Sequence, residues 1–282
     1  MTYEPVRRRP GRRPRLTGRG RLVLMAGAVL VIAAAVLVPV LIDRGSEGPG
    51  PGRLVVPEGQ RAAQVYASVD RALGLAAGTT REKAASVPLD LPPAARDNPE
   101  GYLFPATYPV NAESTPASLL SFMVNTANQR FGAHHISDGA RLDDVSVYQT
   151  VTLASIVQAE AATASDMGKV SRVIHNRLAR GMALQMDSTI NYGLRRSTLD
   201  TTYQDTGIDS PYNTYERKGL PPTPIGNPGN EALNAAVRPT RGNWLYFVTV
   251  APGDTRFTAS YAEQRRNVAE FNANRRAASR TG

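Results

Sequence analysis

Hydrophobic and polar positions divide this chain into segments of different character. Residues 22–42 (LVLMAGAVLVIAAAVLVPVLI) form a run of 21 positions without a charge. As a helix the run reaches about 30 Å, the thickness of a bilayer's hydrocarbon core. It is longer than a usual signal-peptide core, so it predicts a retained transmembrane helix. The ten residues 43–52 (DRGSEGPGPG) read as a linker, spanning at most ~35 Å. Then come RLVV (53–56), a Pro-Glu-Gly turn, and Ala63, Val65, Tyr66, Val69, Ala72 and Leu73 at mostly helical spacing. That order predicts strand, turn and helix.

Further along, ASLLSFMVNTANQRF (117–131) sets Leu119, Phe122, Met123, Ala127 and Phe131 on one face of a helix. Leu153, Ile156, Val157 and Glu160 share a face in the same way, Glu160 being i+3 from Val157 and i+4 from Ile156. Residues 166–180 predict another helix, with Val170, Val173, Ile174, Arg177 and Leu178 at core spacing, Asp166 near its start and Gly181 as its stop. Residues 231–282 read as helix, strand (244–250), turn, strand (256–260) and closing helix. The fold class is α+β: mainly helical, with a C-terminal β-hairpin.

Charge sharpens the first segments and removes one function class. The chain has 282 residues and a net charge of +9, yet residues 1–21 hold eight arginines and one glutamate, so all but +2 of it lies in that tail. The basicity is a cytoplasmic tail (1–21) before the membrane helix, and no nucleic-acid partner is expected. Positive charge before the span places the N-terminus inside and everything after Ile42 outside, making this a single-pass protein of the cell membrane. There is no cysteine, which excludes disulfides and thiolate chemistry.

The candidate chemistry centres on Glu160. A carboxyl on an otherwise apolar face is partly removed from water, so its pKa rises and it can serve as a general acid near neutral pH. On spacing alone it could equally be a structural carboxylate at the edge of the stripe, satisfied by a nearby arginine. Neither G-x-S-x-G nor H-E-x-x-H occurs, which argues against the corresponding serine hydrolases and metalloproteases. His134 and His135 are adjacent and do not share a face, and His175 is the only other histidine. No metal or other cofactor is expected.

Five ordered segments carry a resemblance: EGYLFPATY (100–108), ASIVQAEA (154–161), VIHNRLARGMALQMDSTINYG (173–193), YNTY (212–215) and GLPPTPIGNPG (219–229). Together they resemble the endolytic murein transglycosylases, the YceG-like family. The resemblance implies a small LysM-like module at 53–90 and a lytic-transglycosylase-like catalytic domain at 91–282. It makes Glu160 the catalytic residue and leaves Gln158 where typical members have a second acid. It places Glu100, Tyr102, Phe104 and Tyr108 beside the catalytic cleft, Phe104 reading more readily as core. Gln185, Asp187, Thr189 and Tyr192 would run along the groove, with Asn213 and Tyr215 opposite. Asp187 could instead make an Asx turn or helix cap. Thr255 and Gln264 stand where the family usually has histidines.

The implied reaction is cleavage of the MurNAc-GlcNAc β-1,4 bond of nascent glycan strands with formation of a 1,6-anhydro end, which would terminate strand elongation. The implied partners are peptidoglycan glycan strands, the inner membrane and peptidoglycan synthases. The alternative is a glycan-binding scaffold of the cell-wall synthesis complex that keeps the fold without turnover.

Overall fold

The computed structural model describes residues 52–132, 134–142, 145–196 and 201–281. The basic tail, the membrane-spanning segment and nearly all of the linker expected from the sequence fall on residues 1–51 and lie outside the described residues. No described helix is long and apolar enough to cross a membrane.

Strand β1 (Gly52–Val55) is followed by helices α1 (Ala62–Ala72) and α2 (Thr79–Ala84), and then by strand β2 (Thr107–Val110). β1 and β2 pair antiparallel, with Leu54 opposite Tyr108 and Val55 opposite Thr107. Alternation sets Leu54 in the core and leaves Val55 exposed. The strand that completes this sheet therefore lies beyond the boundary expected at residue 90. The β-α-α-β unit runs from 52 to 110, and its core residues Leu54, Val56, Val65 and Val69 join the same cluster as the rest of the described chain.

Helices α3 (Pro116–Phe131) and α4 (His134–Leu142) lead to α5 (Val147–Glu160), the central element. α5 packs against α6 (Ala164–Ala179) and α8 (Asn230–Val237), which also pack against each other. Ala232, Ala235 and Ala236 keep the α8 face small, so the three axes can approach closely. The sequence predicted one apolar face for α5, but it is buried from Thr150 to Val157. Its three hydroxyls there are satisfied within the helix. Thr150 donates to the Ser146 carbonyl (3.2 Å), Thr152 to that of Tyr148 (2.9 Å) and Ser155 to that of Thr152 (2.7 Å). This back-bonding lets polar residues occupy core positions.

The N-terminus of α6 is capped by Thr163, whose hydroxyl accepts from the Asp166 N–H at 3.1 Å; Asp166 is a first-turn residue. Short helix α7 (Asp187–Gly193) follows, and the chain closes with β3 (Tyr246–Ala251), β4 (Asp254–Thr258) and α9 (Tyr261–Thr281). The hairpin and closing helix match the expected elements, with α9 packed along β3.

Candidate active site

Glu160 is the last residue of α5. Its half-buried carboxyl opens into a cavity of about 700 Å³. It is lined by Gln185, Met186, Asp187 and Ser188 of the α7 region, by Tyr246, Phe247 and Thr249 of β3, and by Gln264 and Phe271 of α9. The Ser188 N–H donates to Glu160 Oε1 at 3.2 Å.

Burial raises the carboxyl pKa above its ordinary value. The Ser188 hydroxyl and N–H favour the charged form and pull it down, while the nearby charge of Asp187 pushes it further up. The C-terminal end of α5 carries partial negative charge, which acts in the same direction as burial. The Ser188 hydroxyl lies near enough to influence Glu160 electrostatically, yet it is buried and makes no hydrogen bond of normal geometry. A protonated Glu160 in this position can donate a proton to a group in the cavity.

Asp187 shares the cavity and opens α7. Its Oδ1 accepts from the Tyr215 hydroxyl at 2.6 Å, and the helix it opens has Met186 as N-cap residue and no side-chain cap bond. Burial, the bond to Asp187 and then the charges of Asp187 and Glu160 hold the Tyr215 hydroxyl protonated well above the ordinary tyrosine range. Gln185 also reaches the cavity. Its backbone is in the left-handed region at φ 53°, a conformation that costs a non-glycine residue on the order of 1–3 kcal/mol. The Thr214 carbonyl holds its N–H at 2.9 Å, and Arg177 donates to its Oε1 at 3.2 Å.

The remaining expected site residues are placed elsewhere. Thr189 and Asn213 do not reach the groove: they are 0% and 1% exposed. The Thr189 hydroxyl bonds the Met186 carbonyl (2.7 Å) and Thr214 Oγ1 (2.9 Å). The Asn213 amide donates to the carbonyls of Thr206 and Ile208, both at 2.9 Å. Both residues build the frame that holds Asp187 and Tyr215. Tyr102, Phe104 and Tyr108 are core residues, with Tyr102 and Phe104 meeting the Phe131 ring edge-on and Tyr108 that of Phe122.

Glu100 and Tyr192 line a second cavity, of about 610 Å³. Glu100 accepts from the Ala62 N–H (2.9 Å) and from the Tyr192 hydroxyl (3.0 Å). Burial, only partly offset by these bonds and by Arg61, pushes its pKa up to about 7. At the next residue, Gly101 has φ 85° and lies against Pro224, where a Cβ would come within 2.5 Å of the proline ring, so only glycine fits. Gln158, in place of an acid, accepts from the Gly229 N–H at 3.0 Å and ties down the 219–229 loop.

Sequence reasoning missed the part of the lining that β3 and Arg177 contribute. It read Tyr246 and Phe247 only as strand residues and gave Arg177 only a core position. Arg177 is buried, and its guanidinium donates to the carbonyls of Leu245 (2.6 Å), Ala183 (3.1 Å) and Leu184 (2.7 Å) as well as to Gln185. It also sits over the Tyr246 ring, 5.2 Å from the centroid. An arginine at core spacing was the available signal. Gln264, at a position where the resemblance leads one to expect histidine, donates to the Phe247 carbonyl at 3.0 Å and keeps its Oε1 buried without a partner.

The YceG-like family model matches residues 34–270, most of the chain. The chain belongs to the YceG-like family. It is similar to the endolytic murein transglycosylase of Bacillus subtilis (strain 168), 37% identical over 165 residues, which are 58% of this chain and 45% of that protein. It is also similar to that of Streptococcus pneumoniae serotype 2 (strain D39), 34% identical over 182 residues, 62% of this chain and 33% of that protein. The matches thus span less than half the length of these relatives. Among solved structures, a yceG-like protein from Listeria monocytogenes superposes with a TM-score of 0.69 at 30% identity, covering 77% of this chain and 75% of that one.

Proposed function

We propose that this chain is an endolytic peptidoglycan transglycosylase in which Glu160 is both acid and base. The observation that carries the reading is the placement of Glu160: a carboxyl with a raised pKa, at the end of a buried helix, opening into a cavity walled by amide, hydroxyl and aromatic groups. Protonated Glu160 gives its proton to the glycosidic oxygen as the bond from C1 of N-acetylmuramic acid to that oxygen breaks. The resulting carboxylate takes the proton of the same sugar's C6 hydroxyl. The C6 oxygen then bonds to C1 and closes the 1,6-anhydro ring. No water is consumed. Tyr246, Phe247 and Phe271 supply apolar surface for sugar faces, and Gln185 supplies an amide group for hydroxyls and acetamides.

The uncharged run at 22–42 would anchor the chain in the cell membrane, with the N-terminus cytoplasmic and the catalytic unit outside. There it would meet nascent glycan strands and their synthases and end strand elongation. A reporter fused after Gly282 should then be active only outside the cytoplasm; activity inside would overturn this orientation.

The decisive experiment is to digest purified glycan strands and determine the chemistry of the new ends by mass spectrometry. Anhydro ends are expected. An inactive protein that still binds strands would establish the scaffold reading instead. A hydrolytic second reading rests on Asp187, a second carboxylate in the same cavity. It would give water-derived reducing ends, and Asp187→Asn would then abolish turnover instead of reducing it moderately.

A further inference from the structure

The second cavity has a composition that the cleavage reaction does not explain. Its charged lining is Arg61, Arg81, Arg195 and Glu100. Among the described residues none of the three arginines lies within ion-pair distance of a carboxylate. Glu100 is the one carboxylate of the lining; its oxygens accept from the Ala62 N–H and the Tyr192 hydroxyl, and it interacts electrostatically with Arg61 without forming an ion pair. Arg61 stacks on the Tyr192 ring at 5.0 Å and has one long bond, 3.5 Å, to the Asn191 carbonyl. Most of its donors are unspent although the side chain is only partly exposed. Arg195 stands at φ 55°, a left-handed backbone rare for a residue with a side chain. Three guanidinium groups line one concave surface with a single carboxylate and no ion pair, an excess of positive charge that suits an anion.

The position of the cavity indicates which anion. Arg61 lines both cavities, and α7 contributes to each, Asp187, Ser188 and Asn191 to the Glu160 cavity and Tyr192 and Gly193 to the other. Because Arg61 borders both cavities, a peptide branching from a sugar held at Glu160 could run past it towards Arg81 and Arg195.

We infer that the cavity lined by Arg61, Arg81 and Arg195 binds the carboxylates of the peptide stem carried by the glycan strand, so that the enzyme reads stem-bearing substrate. The inference rests on the glycan-cleaving reading for its choice of ligand. Arg81 and Arg195 stand outside the catalytic cavity and can be changed without touching it.

The test uses the full chain and two readouts. Binding of a free stem tetrapeptide, and of its fully amidated analogue, is measured by calorimetry for wild type and for Arg81→Ala/Arg195→Ala. Cleavage is measured on stem-bearing strands and on strands stripped of stems by an amidase. We expect the tetrapeptide to bind the double variant about tenfold or more weakly than wild type, as loss of charged hydrogen bonds implies, and amidation to weaken wild-type binding similarly. Stem-bearing strands should have the lower KM with wild type, and the double variant should lose that preference while kcat on stripped strands stays unchanged.

Equal tetrapeptide affinity in wild type and double variant, or no loss on amidation, would overturn the inference even if the enzyme cleaves well. Arginine-dependent tetrapeptide binding by a protein that cleaves no strand would support the stem site while overturning the proposed reaction.

Discussion

At the scale of single residues, two carboxyls with raised pKa values do different work, and their pH responses separate them. Glu160 acts as an acid only when protonated, so turnover should fall as pH rises through its raised pKa. Glu160→Gln removes the transferable proton but keeps the shape, and should cost at least the ~10²–10⁴-fold typical of general acid–base catalysis. Strand binding and melting temperature should change little; an active variant making anhydro ends would remove Glu160 from the mechanism. Glu100 is expected to show up in stability. Its folded-state pKa of about 7 lies above the ordinary 4.5, so the folded state favours the neutral form. Stability is greatest below about 4.5 and falls as pH rises towards about 7, by up to about 3 kcal/mol. Glu100→Gln should flatten that slope in thermal melts between these pH values; an unchanged slope would assign it to other groups. Glu160 could be found from the sequence because helical spacing put one acid beside Leu153, Ile156 and Val157. The surroundings of Glu100 could not, because Ala62 and Tyr192 approach it from 38 and 92 positions away.

At the scale of elements, helical periods and turn residues located α3, α5, α6 and the hairpin, because each buries side chains at regular intervals. They could not show that α5 is enclosed on every side, since Thr150, Thr152 and Ser155 look polar until their hydroxyls turn back onto the helix. Nor could they assign Arg177, whose acceptors are four groups on two loops. That arginine fixes the 183–185 segment and the start of the hairpin to α6, and so joins two parts of the cavity lining. Arg177→Lys keeps the charge but lacks the planar fork, leaving buried carbonyls without donors. A loss of roughly 2–4 kcal/mol is expected in denaturant unfolding. Turnover under fully folded conditions should fall too, because Gln185 loses the bond that orients it. Normal stability would mean that water replaces the guanidinium without penalty.

At the scale of the whole molecule, the described chain is held together by contacts that cross the boundary expected at residue 90. β1 requires β2 for its pairing. Asn227, fully buried, accepts from the Leu103 N–H (2.8 Å) and donates its amide to the Gln60 carbonyl (2.7 Å), while its backbone bonds Gly59 and Gln60. This one residue ties the β1–α1 turn and the 100–103 segment to the 219–229 loop, and the turn supplies Gly59 and Arg61 to the catalytic cavity. Sequence patterns saw the start of the β-α-α-β unit but not its end, because Thr107–Val110 is too short to announce itself as the partner of a strand more than fifty residues earlier. Removing residues 1–90 would take Leu54, Val56, Val65 and Val69 out of the core. At about 1.5–3 kcal/mol for each buried aliphatic side chain, the loss matches the 5–15 kcal/mol that holds a typical domain folded. Residues 52–282 should therefore unfold in one cooperative transition, followed by circular dichroism, while residues 91–282 should show none and bind no glycan. A cooperative melt of 91–282 near the temperature of the longer form would mean that the first ninety residues are an appendage, and that Arg61 reaches the catalytic cavity without being needed to build it.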